Sequence, residues 1–200
     1  MKLVKIINLC KSYGKNIILK NLNLSLNSSF VYFLISANGS GKTTFFKCLL
    51  RETSFNGIID DKNIIYSYLP DKVKIPSYVS VFEFLIMYLK IDYKEVDVNK
   101  INEYLRLFDI LKYKYRFMHE LSKGTKQKVL IIKTLLSNAD VYLLDEPLAG
   151  LDYKSRITFM MRLKALQEEG KIVVIATHYY NDYSFDNKKV IEIDENNQNT

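Results

Sequence analysis

Ser36-Ala37-Asn38-Gly39-Ser40-Gly41-Lys42-Thr43-Thr44 lies between an apolar run at 30–35 and a helix-patterned stretch at 42–50. A glycine-rich turn that leads from a buried strand into a helix reads as a phosphate-binding loop. Gly39 and Gly41 let the backbone turn tightly and approach an anion. Successive backbone N–H groups, together with the positive end of the helix, then surround that anion. Lys42 is placed to reach the β- and γ-phosphates of a nucleotide as a point charge, and the Thr43 hydroxyl to ligate Mg²⁺. Ser36 stands where the full pattern has glycine, which narrows the conformations open to the loop entry. Asn38, Ser40 and Thr44 complete the candidate nucleotide-binding set.

Working outward, the periodicity alternates between strand and helix. Residues 3–9, 17–26, 30–35 and 64–69 read as strands, as do 141–144, 172–176 and 190–193. Residues 42–50, 81–90, 98–108, 123–136 and 154–168 read as helices. Early strands followed by β-α-β units predict an α/β fold with an antiparallel β part at the N-terminal side. Residues 71–120 read as helices only, which predicts an inserted helical lobe. The expected organisation is a single domain over 1–200, with a core at 1–70 and 121–200 and the lobe at 71–120.

Two further strands end in chemistry. Val141-Tyr142-Leu143-Leu144-Asp145-Glu146-Pro147 closes an apolar strand with two carboxylates. Ligands of α/β sheets bind at the carboxyl ends of strands. Asp145 is therefore expected near the phosphates, holding Mg²⁺, with Glu146 beside it as the base for an attacking water. Ile172-Val173-Val174-Ile175-Ala176-Thr177-His178 repeats the design, and His178 is expected to sense the γ-phosphate. Leu121-Ser122-Lys123-Gly124-Thr125-Lys126-Gln127-Lys128 opens the next helix against local rules. Ser122 is a good N-cap, but lysines crowd the positive helix end and Gly124 is a poor helix former. Such breaches accompany sites, and this one points to a second anion contributed by another subunit.

Composition bounds the rest. The 200 residues are 48% hydrophobic and 26% charged, with 7 Gly and 3 Pro, which excludes a disordered or collagen-like chain. No window approaches the roughly 18 apolar residues of a membrane helix. Residues 1–5 carry charge without an apolar h-region, so no secretory leader is expected. Cys10 and Cys48 lack the spacing of a zinc site or disulfide framework, and the cytosol is the expected compartment. The formal charge of +7 suits phosphates, an anionic membrane surface or nucleic acid.

Taken together, these motifs resemble the ATP-binding subunit of an ABC transporter. Residues 36–44 resemble the Walker A loop, 141–147 Walker B with the catalytic glutamate, and Leu121-Ser122-Lys123-Gly124-Thr125 the signature motif. Ala149-Gly150-Leu151-Asp152 resembles the D-loop, His178 the switch histidine, and Tyr13 the aromatic that stacks on adenine. Four departures stand out: Ser36, Lys123, Thr125, and Asp71 where Gln or Glu is usual. Asp71 remains a candidate Mg²⁺ ligand of shorter reach.

The resemblance implies ATP and Mg²⁺ sandwiched in a homodimer, or in a heterodimer with another ABC ATPase subunit. It implies a separate transmembrane subunit driven by dimer closure. Pro76, Tyr78, Phe82, Phe84, Met87, Tyr88 and Tyr93 exceed what a small lobe's core needs, and those around 76–82 are expected to touch that partner. The chain is then expected at the inner face of the cell membrane, held there by its partner, with no nucleic acid bound. The short length and the form of the signature segment resemble small exporter-type subunits. The alternatives are a soluble ABC ATPase acting on nucleic acid or ribosomes, and a nucleotide-binding regulator with little hydrolysis.

Overall fold

Strand alternation governs the first third of the chain in the computed structural model, which describes residues 2–35, 41–72, 75–92 and 96–193. Ser36, Asn38, Gly39 and Ser40 of the phosphate loop and Tyr93 of the lobe lie outside the described residues. β1 (Leu3–Tyr13) buries Val4, Ile6 and Leu9 on one face. β2 (Asn16–Asn27) runs antiparallel to it and buries Leu19, Leu22 and Leu26.

β3 (Val31–Ile35) leads to the phosphate loop, and α1 (Lys42–Leu49) leaves it. Gly41 caps α1 at φ 109, a left-handed conformation that glycine adopts without strain. β4 (Asn56–Asp60) pairs with the free edge of β1, giving the antiparallel order β2-β1-β4. β5 (Tyr66–Leu69) then enters a second sheet.

α2 (Val81–Asp92) and α3 (Val98–Leu107) form the lobe. α4 (Lys123–Leu136), β6 (Val141–Asp145), α5 (Tyr153–Glu168), β7 (Ile172–Ala176) and β8 (Lys188–Glu192) complete the chain. The second sheet is parallel throughout, in the order β5-β6-β7-β3-β8. Its central strands β3, β6 and β7 are covered on both faces, so they read as continuous apolar runs rather than alternating ones.

The period of two still sorts these strands into two cores. Tyr32, Leu34, Val141, Leu143, Ile172 and Val174 face α1 and the antiparallel sheet. Val31, Phe33, Tyr142, Leu144, Val173 and Ile175 face α4, α5 and the lobe. α4 packs against α2, α3 and β5 at once, so lobe and core share one apolar cluster. The expected α/β class, with its antiparallel N-terminal part, is the fold observed.

Three details differ from the sequence reading. β4 was not expected, because only Ile59 of its five residues is buried and no apolar alternation marks it. β1 runs on to Tyr13, past the expected end at 9. Residues 71–120 are not purely helical: Ser80 and Phe117 form an isolated antiparallel bridge, and short 3₁₀ turns occupy Leu111–Tyr113 and Met118–Glu120.

Candidate functional site

The carboxyl ends of β3, β6 and β7 are adjacent, because those strands are neighbours in the parallel sheet. They deliver one cavity of about 220 Å³ lined by Gly41, Lys42, Thr43, Thr44, Asp71, Asp145, Glu146 and His178. Thr43 Oγ1 donates to Asp145 Oδ2 at 2.7 Å, which ties the start of α1 to the end of β6. Burial raises the Asp145 carboxyl above its ordinary value, against the lowering effect of the Thr43 hydrogen bond. Lys42 is lowered chiefly by burial, partly offset by the Glu146 and Asp145 charges. Its Nζ lies 3.1 Å from His178 Nε2.

Glu146 carries the most constrained backbone in the site. It sits at φ 47, a left-handed conformation uncommon for a residue with a side chain. The end of the neighbouring strand β7 holds it there: its N–H donates to the Ala176 carbonyl at 2.9 Å. Thr177 Oγ1 donates to Glu146 Oε2 at 3.3 Å. Oε1 is buried without a hydrogen-bond partner, with His178 Nε2 at 3.6 Å. Burial raises the Glu146 pKa, while His178 and Lys42 pull the other way. A half-buried carboxylate with one oxygen oriented and one unfilled suits a general base.

The donor set around Asp145 is oxygen: the Thr43 hydroxyl, the carboxylates of Asp145 and Asp71, and the Tyr68 hydroxyl 3.5 Å from Asp145 Oδ2. Hard oxygen donors suit Mg²⁺, which keeps several waters and takes phosphate oxygens to complete its shell. Among the described residues no cluster of three His, Cys, Asp or Glu forms a metal cage alone.

The expected signature residues lie elsewhere. Leu121 is buried; Ser122 caps α4, accepting from the Thr125 N–H at 3.2 Å. Lys123 is exposed, and neither it nor Gly124 nor Thr125 lines the cavity. Gly124 has a reason inside the chain: a Cβ there would lie 2.6 Å from the Gly150 carbonyl oxygen. The start of α4 thus packs backbone to backbone on residues 147–152. Lys128 Nζ extends the same contact to Asp152 Oδ2 at 2.6 Å. That hydrogen bond holds Asp152 down at about 2, and Asp152 also caps α5 through the Ser155 N–H.

Tyr13 stands apart from the cavity, half exposed, with Lys11 Nζ 4.5 Å from its ring centre. Thr177 and Tyr68 were not singled out from sequence. Thr177 directly precedes His178 after a buried strand, and that position is its sequence signal; Tyr68 acts across strands and leaves no local signal.

A family model described as ABC transporter matches residues 19–149. An uncharacterized ABC transporter ATP-binding protein from Methanocaldococcus jannaschii, MJ1023, is 30% identical over 178 residues, covering 88% of this chain and 68% of that protein. The arginine transport ATP-binding protein ArtM of Bacillus subtilis is 31% identical over 194 residues, covering 88% of this chain and 81% of its own length. Other curated relatives are longer, and the chain spans 59%, 26% and 51% of three of them. Among solved structures, a dimeric bacterial ABC transporter cassette, MJ0796, superposes with a TM-score of 0.82 at 26% identity, covering 96% of this chain and 94% of that one.

Proposed function

This chain belongs to the ABC transporter family, and on that premise we propose that it is the ATP-hydrolysing subunit of a transporter, driving a separate membrane subunit. The observation that carries the reading is the meeting of Lys42, Thr43, Asp145, Glu146 and His178 around one cavity. Lys42 and the helix-start N–H groups bind and orient the phosphates. Glu146 takes the proton of the attacking water as its oxygen bonds to the γ-phosphorus and the bond to the bridging oxygen breaks. Thr177 fixes the direction of Glu146, and His178 stands between that carboxylate and Lys42, where it would meet the γ-phosphate. Thr43, Asp145 and Asp71 would hold Mg²⁺, which neutralises phosphate charge when bound. Ser36, Asn38, Gly39, Ser40 and Thr44 are proposed to line the phosphates, and Tyr13 to stack on adenine once its ring is clear of Lys11.

Ser122, Lys123, Gly124 and Thr125 do not line their own cavity, which supports a head-to-tail dimer in which each subunit closes its partner's ATP site. A related cassette is itself dimeric, which supports the pairing of two such subunits. Among the described residues no helix is long and apolar enough to cross a membrane, and the membrane-spanning part is proposed to be a separate subunit. A groove of about 280 Å³ between sheet and lobe, lined by Tyr68, Leu69, Pro70, Ile75, Phe84 and Tyr88, is its proposed docking place, beside the exposed Pro76 and Tyr78. The proposed location is the inner face of the cell membrane, and the proposed direction is export, from the form of the signature segment. Lys42→Ala tests the site: nucleotide binding should fall at least tenfold, since about 1.4 kcal/mol is tenfold and a charge-assisted hydrogen bond contributes about 1.5–3 kcal/mol. Unchanged ATP affinity would reject the assignment.

A further inference from the structure

Among the described residues, Glu146 Oε1 and the Tyr183 hydroxyl are both buried without a hydrogen-bond partner. The first belongs to the site already described. The second does not. Tyr183 is 2% exposed, and its ring centre lies 5.1 Å from that of Phe33 on β3. Phe185 packs on the same Phe33 ring at 6.2 Å. Phenylalanine would serve this packing as well as tyrosine does, so packing does not explain the hydroxyl. A buried tyrosine hydroxyl usually has a partner, and one without a partner lowers stability.

The chain turns back on itself to place Tyr183. After β7, a 3₁₀ turn over Tyr180–Asp182 reverses direction, and the Tyr183 N–H donates to the Tyr180 carbonyl at 3.2 Å. The side chain thereby returns to Thr177 and Glu146. Burial raises the pKa of its hydroxyl, the Glu146 charge raises it further, and the Thr177 hydroxyl lowers it. The phenol oxygen is thus near both residues while bonded to neither. Thr177 has one place left for it. A hydroxyl offers one proton and two lone pairs. The Thr177 proton goes to Glu146 Oε2 at 3.3 Å, and one lone pair takes the Tyr179 N–H at 3.1 Å. The second lone pair is open to a donor, and Tyr183 is a donor without an acceptor.

We propose that Tyr183 is a positioning residue for ATP hydrolysis, donating its hydroxyl proton to Thr177 Oγ1 and so holding the Thr177 proton on Glu146. The chain runs from Tyr183 to Thr177 to Glu146 Oε2, and Oε1 is left for the attacking water. Chained hydrogen bonds strengthen one another. Catalytic hydrogen bonds are often long in the resting enzyme and tighten in the transition state. An interaction made only there raises turnover without tightening substrate binding. The inference rests on Glu146 being the base.

The test is phosphate release, ATP affinity and thermal melting of Tyr183→Phe, which removes only the hydroxyl. Its kcat should fall about two- to tenfold, the worth of one hydrogen bond between neutral groups. ATP affinity should hold, and Tm should equal the parent's or exceed it by roughly 2–4 °C, because an unpaired buried hydroxyl is gone. Tyr142→Phe is the contrast. Its hydroxyl donates to the Ser137 carbonyl at 2.7 Å, so its loss should lower Tm and leave kcat as in the parent. In Thr177→Val/Tyr183→Phe, kcat should equal that of Thr177→Val alone, because Tyr183 acts only through Thr177. A parent-like kcat in Tyr183→Phe, a lower kcat accompanied by a lower Tm, or additive losses in the double variant would overturn the proposal. Glu146→Gln, run alongside, separates the two claims. Unchanged turnover there refutes Glu146 as the base and this inference with it. Lost turnover there, with a parent-like Tyr183→Phe, refutes the role of Tyr183 alone.

Discussion

Replacing Gly124 by alanine sets two physical effects against each other. Alanine in a helix interior is favoured over glycine by about 0.8–1.0 kcal/mol, and Gly124 lies in the first turn of α4. On propensity alone the variant gains stability. The new Cβ, however, would lie 2.6 Å from the Gly150 carbonyl oxygen, and that neighbour is backbone rather than a flexible side-chain end. Either α4 or residues 147–152 must shift to admit it. Movement is resisted by the Lys128–Asp152 ion pair at 2.6 Å and by the Asp152 cap on α5. Forcing an extra methyl into a packed contact costs about 1–3 kcal/mol. The net is a loss of about 1 kcal/mol, which in a domain of this size lowers Tm by roughly 2–4 °C. Thermal melts of parent and variant by circular dichroism read this directly. A rise in Tm of the same size would mean that propensity acts alone and that the Gly124–Gly150 contact is not made. Turnover should fall as well, because residues 147–152 begin next to Glu146.

Thr177→Val removes the hydroxyl that donates to Glu146 Oε2 at 3.3 Å. A hydrogen bond to a charged group contributes about 1.5–3 kcal/mol, so turnover should drop about tenfold or more with ATP affinity kept; unchanged turnover would remove Thr177 as the residue that aims the base. The acid limb of the turnover–pH profile should lie above the ordinary glutamate range, since burial raises Glu146 and a base is lost as pH falls through its raised pKa. A limb at or below that range would contradict the assignment of Glu146.

What the sequence makes legible follows from how local each signal is. The three buried strands are short runs of apolar residues, each ending in polar chemistry, and the rule that ligands sit at strand ends places Lys42, Asp145, Glu146 and His178 together. β4 left no such mark. Its partner is the far edge of β1 and only Ile59 is buried, so its existence depends on a pairing between residues about 50 apart. The left-handed Glu146 backbone is set by a hydrogen bond to Ala176 on the next strand, which no local pattern encodes. The glycine and Lys128 at the start of α4 looked like a breach made for an anion. In the structure both have partners within the chain, Gly150 and Asp152, so that end of the helix is shaped by packing as well as by any phosphate it meets.

The central claim is that Glu146 is the base in an ATP site completed by a second subunit. Glu146→Gln tests it most directly: size-exclusion chromatography and phosphate release are measured with ATP and Mg²⁺ present. The variant is expected to bind ATP, release no phosphate and run as a stable dimer only with ATP. Phosphate release at the parent's rate, or a monomer that binds ATP without pairing, would contradict it.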